Sequence, residues 1–217
     1  MSPPSILTKI CGLSTPQTVA AALEGGAAFL GFMIFAASPR AVDLAAAAHF
    51  ARPARGRARI VAVTVDPGDD LIDQIVAVLA PDFIQLHGKE SPARAGEVAA
   101  RSGAKVIKAI GVACPEDLAA VGAYEGVVEH LMFDTKPGPD ATRPGGLGVA
   151  FDGSILAGRR FLRPWFLAGG LDPWNVAALA RASGAPMVDV SSGVERGAGL
   201  KDPALIAAFL QAVRRAP

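Results

Sequence analysis

Eight short apolar runs, each followed by a segment with helix-starting and helix-ending residues, bound what this 217-residue chain can become. The runs are Leu7–Cys11, Ala28–Ile34, Arg59–Val65, Phe83–Leu86, Lys105–Ile110, His130–Asp134, Trp165–Ala168 and Met187–Val190. Helices are expected over Thr15–Glu24, Val42–Ala51, Asp69 to Leu79, Ser91 to Gly103, Pro115–Val121, Pro173–Ser183 and Pro203–Arg214, with a weak one over Phe151–Leu156. Ser14 followed by Pro16 reads as an N-cap and first turn, and Gly25-Gly26 as the stop of the same helix. Eight strand–helix pairs fit a closed parallel (β/α)8 barrel, an α/β fold whose usual size range begins at about 200 residues. An open doubly wound sheet is the alternative. It would carry its glycine fingerprint after the first strand, where this chain has Gly12 alone. No shift in composition marks a linker, so residues 1–217 are expected to form one barrel domain.

Composition excludes several classes of function. The formal net charge is +1 and no basic block is present, which argues against a nucleic-acid surface. Cys11 and Cys114 are the only cysteines, so a disulfide framework is not expected and a reducing compartment is. No Cys/His cluster has metal-ligand spacing, so no metal site is expected. The first residues lack a charged region followed by an apolar core, and the uncharged stretch Gly25–Pro39 is too short and broken to span a bilayer. A cytoplasmic protein that binds neither membrane nor nucleic acid is expected.

A barrel puts its chemistry at the carboxyl ends of the strands. Polar residues collect there: Cys11, Arg40, Asp66, His87, Asp134, Gly169 and Ser191. The loops Ala168-Gly169-Gly170-Leu171 and Ser191-Ser192-Gly193-Val194 follow strands seven and eight, where barrels recurrently hold phosphate. Glycine lets backbone N–H groups approach an anion, and serine adds hydroxyl donors. Asp134 ends a strand and precedes a glycine-bearing loop, Thr135 to Gly148, with Gly145-Gly146-Leu147-Gly148 inside it. It is either a general acid under a loop able to close or a turn-forming carboxylate. Cys11 is a base, a nucleophile or a buried structural thiol; alternation along its strand puts Lys9 on the same face, where its charge would favour thiolate. Lys9, Lys108 and Lys136 also sit near strands, so a Schiff-base lysine stays open. Arg40 either clamps a carboxylate or is solvated, and His87 either orients a substrate or caps its strand. Asp189 alternates onto the same face as Ser191 and is read as pointing inward.

These motifs resemble the phosphoribosylanthranilate isomerase family of tryptophan biosynthesis. The resemblance is carried by Lys9-Ile10-Cys11-Gly12, Gly31-Phe32 with Ser38-Pro39-Arg40, Gln85-Leu86-His87-Gly88, Phe133-Asp134, Gly145-Gly146 with Gly148 and Phe151-Asp152, Leu167-Ala168-Gly169-Gly170-Leu171, and Val188-Asp189-Val190-Ser191-Ser192-Gly193-Val194-Glu195. The family performs a cofactor-free Amadori rearrangement of N-(5-phosphoribosyl)anthranilate to 1-(2-carboxyphenylamino)-1-deoxyribulose 5-phosphate. The resemblance implies Asp134 as general acid at the ring oxygen and Cys11 as general base at ribose C2. It implies Arg40 at the anthranilate carboxylate, and Gly169, Gly170, Ser192 and Gly193 at the phosphate. His87 and Asp189 are the further substrate-binding candidates. A monomer or homodimer is expected, with the phosphoribosyl substrate as its small-molecule partner. Two other readings stand beside it. One is a histidine-pathway barrel isomerase, which would carry an aspartate in place of Cys11. The other is a catalytically silent phosphosugar-binding barrel.

Overall fold

The computed structural model describes residues 6–136 and 153–216. Gly145-Gly146-Leu147-Gly148 and Phe151-Asp152 lie outside the described residues, as does most of the loop expected to cover the site. Eight parallel strands close into a barrel in chain order. They are β1 (Leu7–Cys11), β2 (Phe29–Met33), β3 (Arg59–Thr64), β4 (Phe83–Leu86), β5 (Lys105–Val112), β6 (His130–Thr135), β7 (Trp165–Leu167) and β8 (Met187–Val190). Closure comes from β1, which pairs with β2 at Cys11–Gly31 and with β8 at Lys9–Asp189. Helices α1 (Pro16–Glu24), α2 (Leu44–Ala51), α3 (Asp69–Val78), α4 (Pro92–Ser102), α5 (Val121–Tyr124), α6 (Val176–Ser183) and α7 (Pro203–Arg214) surround it.

Local chemistry explains where the observed elements depart from expectation. Helix α1 is capped by Thr15, not Ser14, because the Thr15 hydroxyl accepts the Thr18 amide at 3.3 Å. Helix α6 starts at Val176 rather than Pro173. The Asp172 carboxylate accepts the amides of Trp174 and Asn175, each at 2.8 Å, and holds that stretch in a turn. The segment expected as a helix over Pro115–Val121 is a 3-10 turn, Pro115–Ala120, running into α5. The weak helix expected over Phe151–Leu156 is seen as a 3-10 turn at Gly153–Leu156. A small hairpin after β8, β9 (Glu195–Gly197) with β10 (Leu200–Lys201), was not expected.

Each strand alternates between two environments, as the pleat requires. One set of side chains packs outward beneath the helices: Ile10, Leu30, Phe32, Ile60, Ile84, Leu131, Phe133, Leu167 and Val188 are all fully buried there. The other set fills the barrel, including Cys11, Phe29, Val61, Val63, Phe83, Ile107, Met132, Phe166 and Met187. The amino-terminal end of the barrel is plugged by rings. Phe29 meets Phe166 edge-on at 5.1 Å and Phe83 at 5.6 Å, while His130 stacks on Phe83 at 5.2 Å. Burial draws His130 below the usual imidazole range, so this ring stays neutral within the plug. Among the described residues, no helix is long and apolar enough to cross a membrane.

Candidate active site

At the carboxyl end the barrel-facing set becomes polar, and the strands deliver it as two clusters. The first stands on β1, β2 and β8. Lys9 is fully buried, and its ammonium donates to Asp189 Oδ1 at 2.8 Å. Cys11 lies one pleat further along the same face. Gly31, its partner on β2, makes room for both groups: a Cβ there would sit 3.1 Å from the Cys11 Sγ and 3.2 Å from the Lys9 Nζ. Burial pulls the Lys9 ammonium down, but the charges of Asp189 and then Cys11 outweigh it and leave it above the ordinary lysine range. Burial pushes the Cys11 thiol up, with Lys9 working against that push.

Arg40, in the loop after β2, reaches over the same end of β1. Its Nε and Nη2 donate to the two carboxylate oxygens of Glu195 at 2.7 and 2.9 Å. Gly12 has φ +75°, and a Cβ there would come within 2.8 Å of the Arg40 Cδ, so the turn out of β1 admits the arginine only with glycine. Glu195 is also bonded to the buried Lys201. Lys201 donates to the Ser191 carbonyl at 3.0 Å, and the Ser191 hydroxyl donates to the Cys11 carbonyl at 3.3 Å. Burial draws Lys201 below the usual lysine range against the pull of Glu195. Burial pushes Glu195 up, but Arg40 and Lys201 prevail and hold it below the ordinary carboxylate range.

The second cluster stands on β4, β6 and the loop after β7. Asp134 is nine-tenths buried; its Oδ2 lies 3.2 Å from the His87 Nε2, and its Oδ1 accepts the Thr135 amide at 2.8 Å. The Gln85 amide nitrogen donates to His87 Nδ1 at 2.9 Å, which places the imidazole proton on Nε2, facing Asp134. Gly169, at φ +83°, packs on this carboxylate: a Cβ there would meet Thr135 and stand 2.7 Å from the Asp134 Oδ1. Gly170 follows at φ +64°. Two consecutive left-handed glycines turn the chain sharply after β7, and Asn175 fastens the turn by donating to the Gly170 carbonyl at 2.8 Å. Ser192 and Gly193 form the 3-10 turn that follows β8. A Cβ on Gly193 would collide with the Leu171 carbonyl, so the two loops are in contact. Among the described residues, the amides of Gly170 and Gly193 donate to no protein acceptor. That arrangement is suited to an anion.

Residues 8–212 match the model of the family described as N-(5'-phosphoribosyl)anthranilate (PRA) isomerase. The chain belongs to this family. It is 60% identical over 209 residues to the N-(5'-phosphoribosyl)anthranilate isomerase of Caulobacter vibrioides, covering 96% of this chain and 95% of that one. The isomerase of Rhodopseudomonas palustris is 48% identical over 212 residues, covering 98% of this chain and all of its own. Among solved structures, the phosphoribosyl anthranilate isomerase of Thermotoga maritima superposes with a TM-score of 0.87 at 28% identity, over 97% of this chain and 99% of that one. A phosphoribosyl anthranilate isomerase in complex with reduced 1-(o-carboxyphenylamino)-1-deoxyribulose 5-phosphate gives 0.84 at 27% identity, with the same coverage.

Among the described residues, Cys11, Arg40, His87, Asp134, Gly169, Gly170, Asp189, Ser192 and Gly193 gather toward the carboxyl end of the barrel, and the lysines separate cleanly. Lys9 enters the site. Lys108 faces the outer layer, buried against Glu90 at 2.6 Å, and Lys136 pairs with Asp117 at 2.6 Å on the surface. Glu195 and Lys201 were missed as site residues. Gln85 was missed as the group that sets the His87 tautomer, and its Oε1 has no partner among the described residues. Among the described residues, no group of three or more His, Cys, Asp or Glu side chains could hold a metal ion.

Proposed function

We propose that this chain converts N-(5'-phosphoribosyl)anthranilate into 1-(2-carboxyphenylamino)-1-deoxyribulose 5-phosphate in tryptophan biosynthesis, with Asp134 as acid and Cys11 as base. The observation that carries the reading is the position of a carboxyl on β6 and a thiol on β1 at the same barrel mouth, flanked by the two glycine-bearing loops after β7 and β8. Asp134 gives its proton to the furanose ring oxygen, the C1–O bond breaks, and the nitrogen lone pair forms the C1=N bond of an open-chain iminium. Cys11, as thiolate, takes the proton from C2; the C2–H electron pair becomes the C1=C2 bond of an enolamine as the C1=N π pair returns to nitrogen. Protonation at C1 with loss of the C2 hydroxyl proton gives the aminoketone. One proton leaves Asp134 and one arrives at Cys11, so the isomerisation needs no cofactor.

The supporting geometry lies in what surrounds each group. His87 and the Thr135 amide donate one to each Asp134 oxygen, fix the plane of the carboxyl and meet the charge left when its proton has gone. Lys9 stands beside Cys11 as counter-charge for the thiolate, and Asp189 holds Lys9 in place. The amides of Gly169, Gly170, Ser192 and Gly193 receive the phosphate, and Arg40 receives the anthranilate carboxylate. The chain works as one barrel domain over 1–217, as a monomer or homodimer, in the cytoplasm. One solved Thermotoga maritima relative is described as a dimeric enzyme made monomeric.

The test is fluorescence-monitored consumption of freshly generated phosphoribosylanthranilate by wild type and Cys11→Ala. Turnover by wild type that is lost in the variant is the expected result. Equal turnover by both keeps the substrate and discards Cys11 as base; turnover by neither discards the activity.

A further inference from the structure

We propose that Lys201 and Glu195 are positioning residues that present one edge of the Arg40 guanidinium, with a net positive charge behind it, to a carboxylate on the substrate's aromatic ring. The inference rests on the activity proposed above and names the device that makes its site selective for a carboxylated ring.

A guanidinium carries five N–H donors in one plane and can receive a carboxylate on either of two forked edges. Glu195 occupies the Nε/Nη2 edge with two bonds of 2.7 and 2.9 Å. Among the described residues, Nη1 has no acceptor, which leaves the second edge to a ligand. The Glu195 bonds fix the plane of the guanidinium, and the Arg40 stem packs on Gly12, the residue that follows Cys11 at the end of β1.

Orientation alone would be self-defeating. A bidentate Arg–Glu pair is neutral and offers a second carboxylate little net attraction. Lys201 removes that difficulty. Its side chain is 1% exposed, and it bonds to the Glu195 oxygen that also takes the Arg40 Nε. The three charges sum to +1. The Lys201 ammonium spends its donors on Glu195, the Ser191 carbonyl and the Ser191 hydroxyl. It therefore acts through the network and does not itself receive the ligand. The β9–β10 hairpin returns the chain so that Lys201 stands opposite Glu195 and bonds to it. Packing of Gly199 on the Pro39 carbonyl joins the hairpin to the Arg40 loop. A purely structural weld between these loops would need no third charge.

The experiment measures calorimetric binding of the reduced product, 1-(o-carboxyphenylamino)-1-deoxyribulose 5-phosphate reduced at its ketone, and of the same compound without the ring carboxyl. Wild type is expected to prefer the carboxylated compound by about tenfold or more, the scale of one charge-assisted contact. Lys201→Met should cut that preference by about fivefold while affinity for the carboxyl-free compound changes by less than about twofold; Lys201→Arg should restore it. The double variant Glu195→Gln/Lys201→Met returns the net charge to +1 with Arg40 unpinned, so it should recover the preference only in part. Equal losses on both compounds in Lys201→Met, or an unchanged preference, overturn the proposal. Should Lys201→Met fail to fold, the double variant decides: a full wild-type preference overturns the proposal and a reduced one supports it. Wild type that binds both compounds alike removes Arg40 as carboxylate receiver and this proposal with it, leaving the isomerase reading intact. Wild type that binds neither and turns over no phosphoribosylanthranilate removes the isomerase reading itself.

Discussion

The two ends of the barrel are built from the same eight strands and obey opposite rules. At the amino-terminal end Phe29, Phe83, Phe166 and His130 close the bore with rings in edge and stacked contact, and the one titratable member is kept neutral. Two to four residues further along β2, β4 and β6 the same inward face carries Gly31, Gln85 and Asp134, and β1 and β8 add Lys9 and Asp189. The first end gains free energy by removing apolar surface from water. The second buries charges that are tolerable only in pairs: Lys9 with Asp189, and Lys201 and Arg40 with Glu195. Apolar closure and acid–base chemistry are thus divided along the barrel axis, and replacing a plug ring or a reacting group should read out in different measurements, whereas the charged pairs of the polar end hold the fold as well.

The largest expected effect is at the polar end. Asp134→Asn removes the acid and should lower kcat by about 10²–10⁴-fold, with the thermal transition little moved. Turnover within about tenfold of wild type would unseat Asp134. Lys9→Met strands a buried Asp189 and should destabilise the fold by about 3–5 kcal/mol in chemical denaturation. The same variant tests the base. Burial raises the Cys11 thiol and Lys9 counteracts it, so free-enzyme thiolate grows as pH rises and kcat/KM should climb on its acid side toward alkaline pH. Losing Lys9 removes the lowering influence and leaves Asp189, which raises the thiol, so the limb should move further alkaline. A limb that stays in place argues that Lys9 is only a structural cation. Phe166→Ala, at the plugged end, should cost about 3–5 kcal/mol of stability and leave kcat/KM intact in the folded fraction. Gly169→Ala is smaller and sits where packing and chemistry meet. A side chain at φ +83° costs about 1–3 kcal/mol, and its methyl pushes on Asp134, so kcat should fall together with stability. A stable Gly169→Ala enzyme with full kcat would show that the two are not coupled there.

The barrel was legible because each strand is a bounded apolar run, and buried parallel strands need such runs. The placement of Cys11, His87, Asp134 and Asp189 was legible for a related reason, because a polar side chain at or near the end of an apolar run has few places to go in a barrel except its mouth; their roles were not legible from position and came only with the family resemblance. Alternation from Lys9 to Cys11 correctly put both on the inward face. Glu195 and Lys201 were not legible. They lie in a polar stretch with Arg196 and Asp202, which reads as solvated surface, and their burial depends on the two-residue strand β10, too short to leave a pattern. The start of α6 was misread because the Asp172 side chain competes with the helix for the next amides, a contest that Pro173 conceals in the sequence. Lys108 drew attention as a strand lysine. Its partner Glu90 lies in the turn after β4, and only the three-dimensional register shows that the pair faces the helices.

One paired measurement tests the division most directly: unfolding free energy and kcat/KM for phosphoribosylanthranilate, determined on the same preparations of Cys11→Ala and Phe166→Ala. The account predicts that Cys11→Ala is folded with stability near wild type and has lost turnover by at least about 10²-fold, while Phe166→Ala is destabilised by about 3–5 kcal/mol and turns over normally where folded. A folded Cys11→Ala protein with wild-type turnover would contradict it.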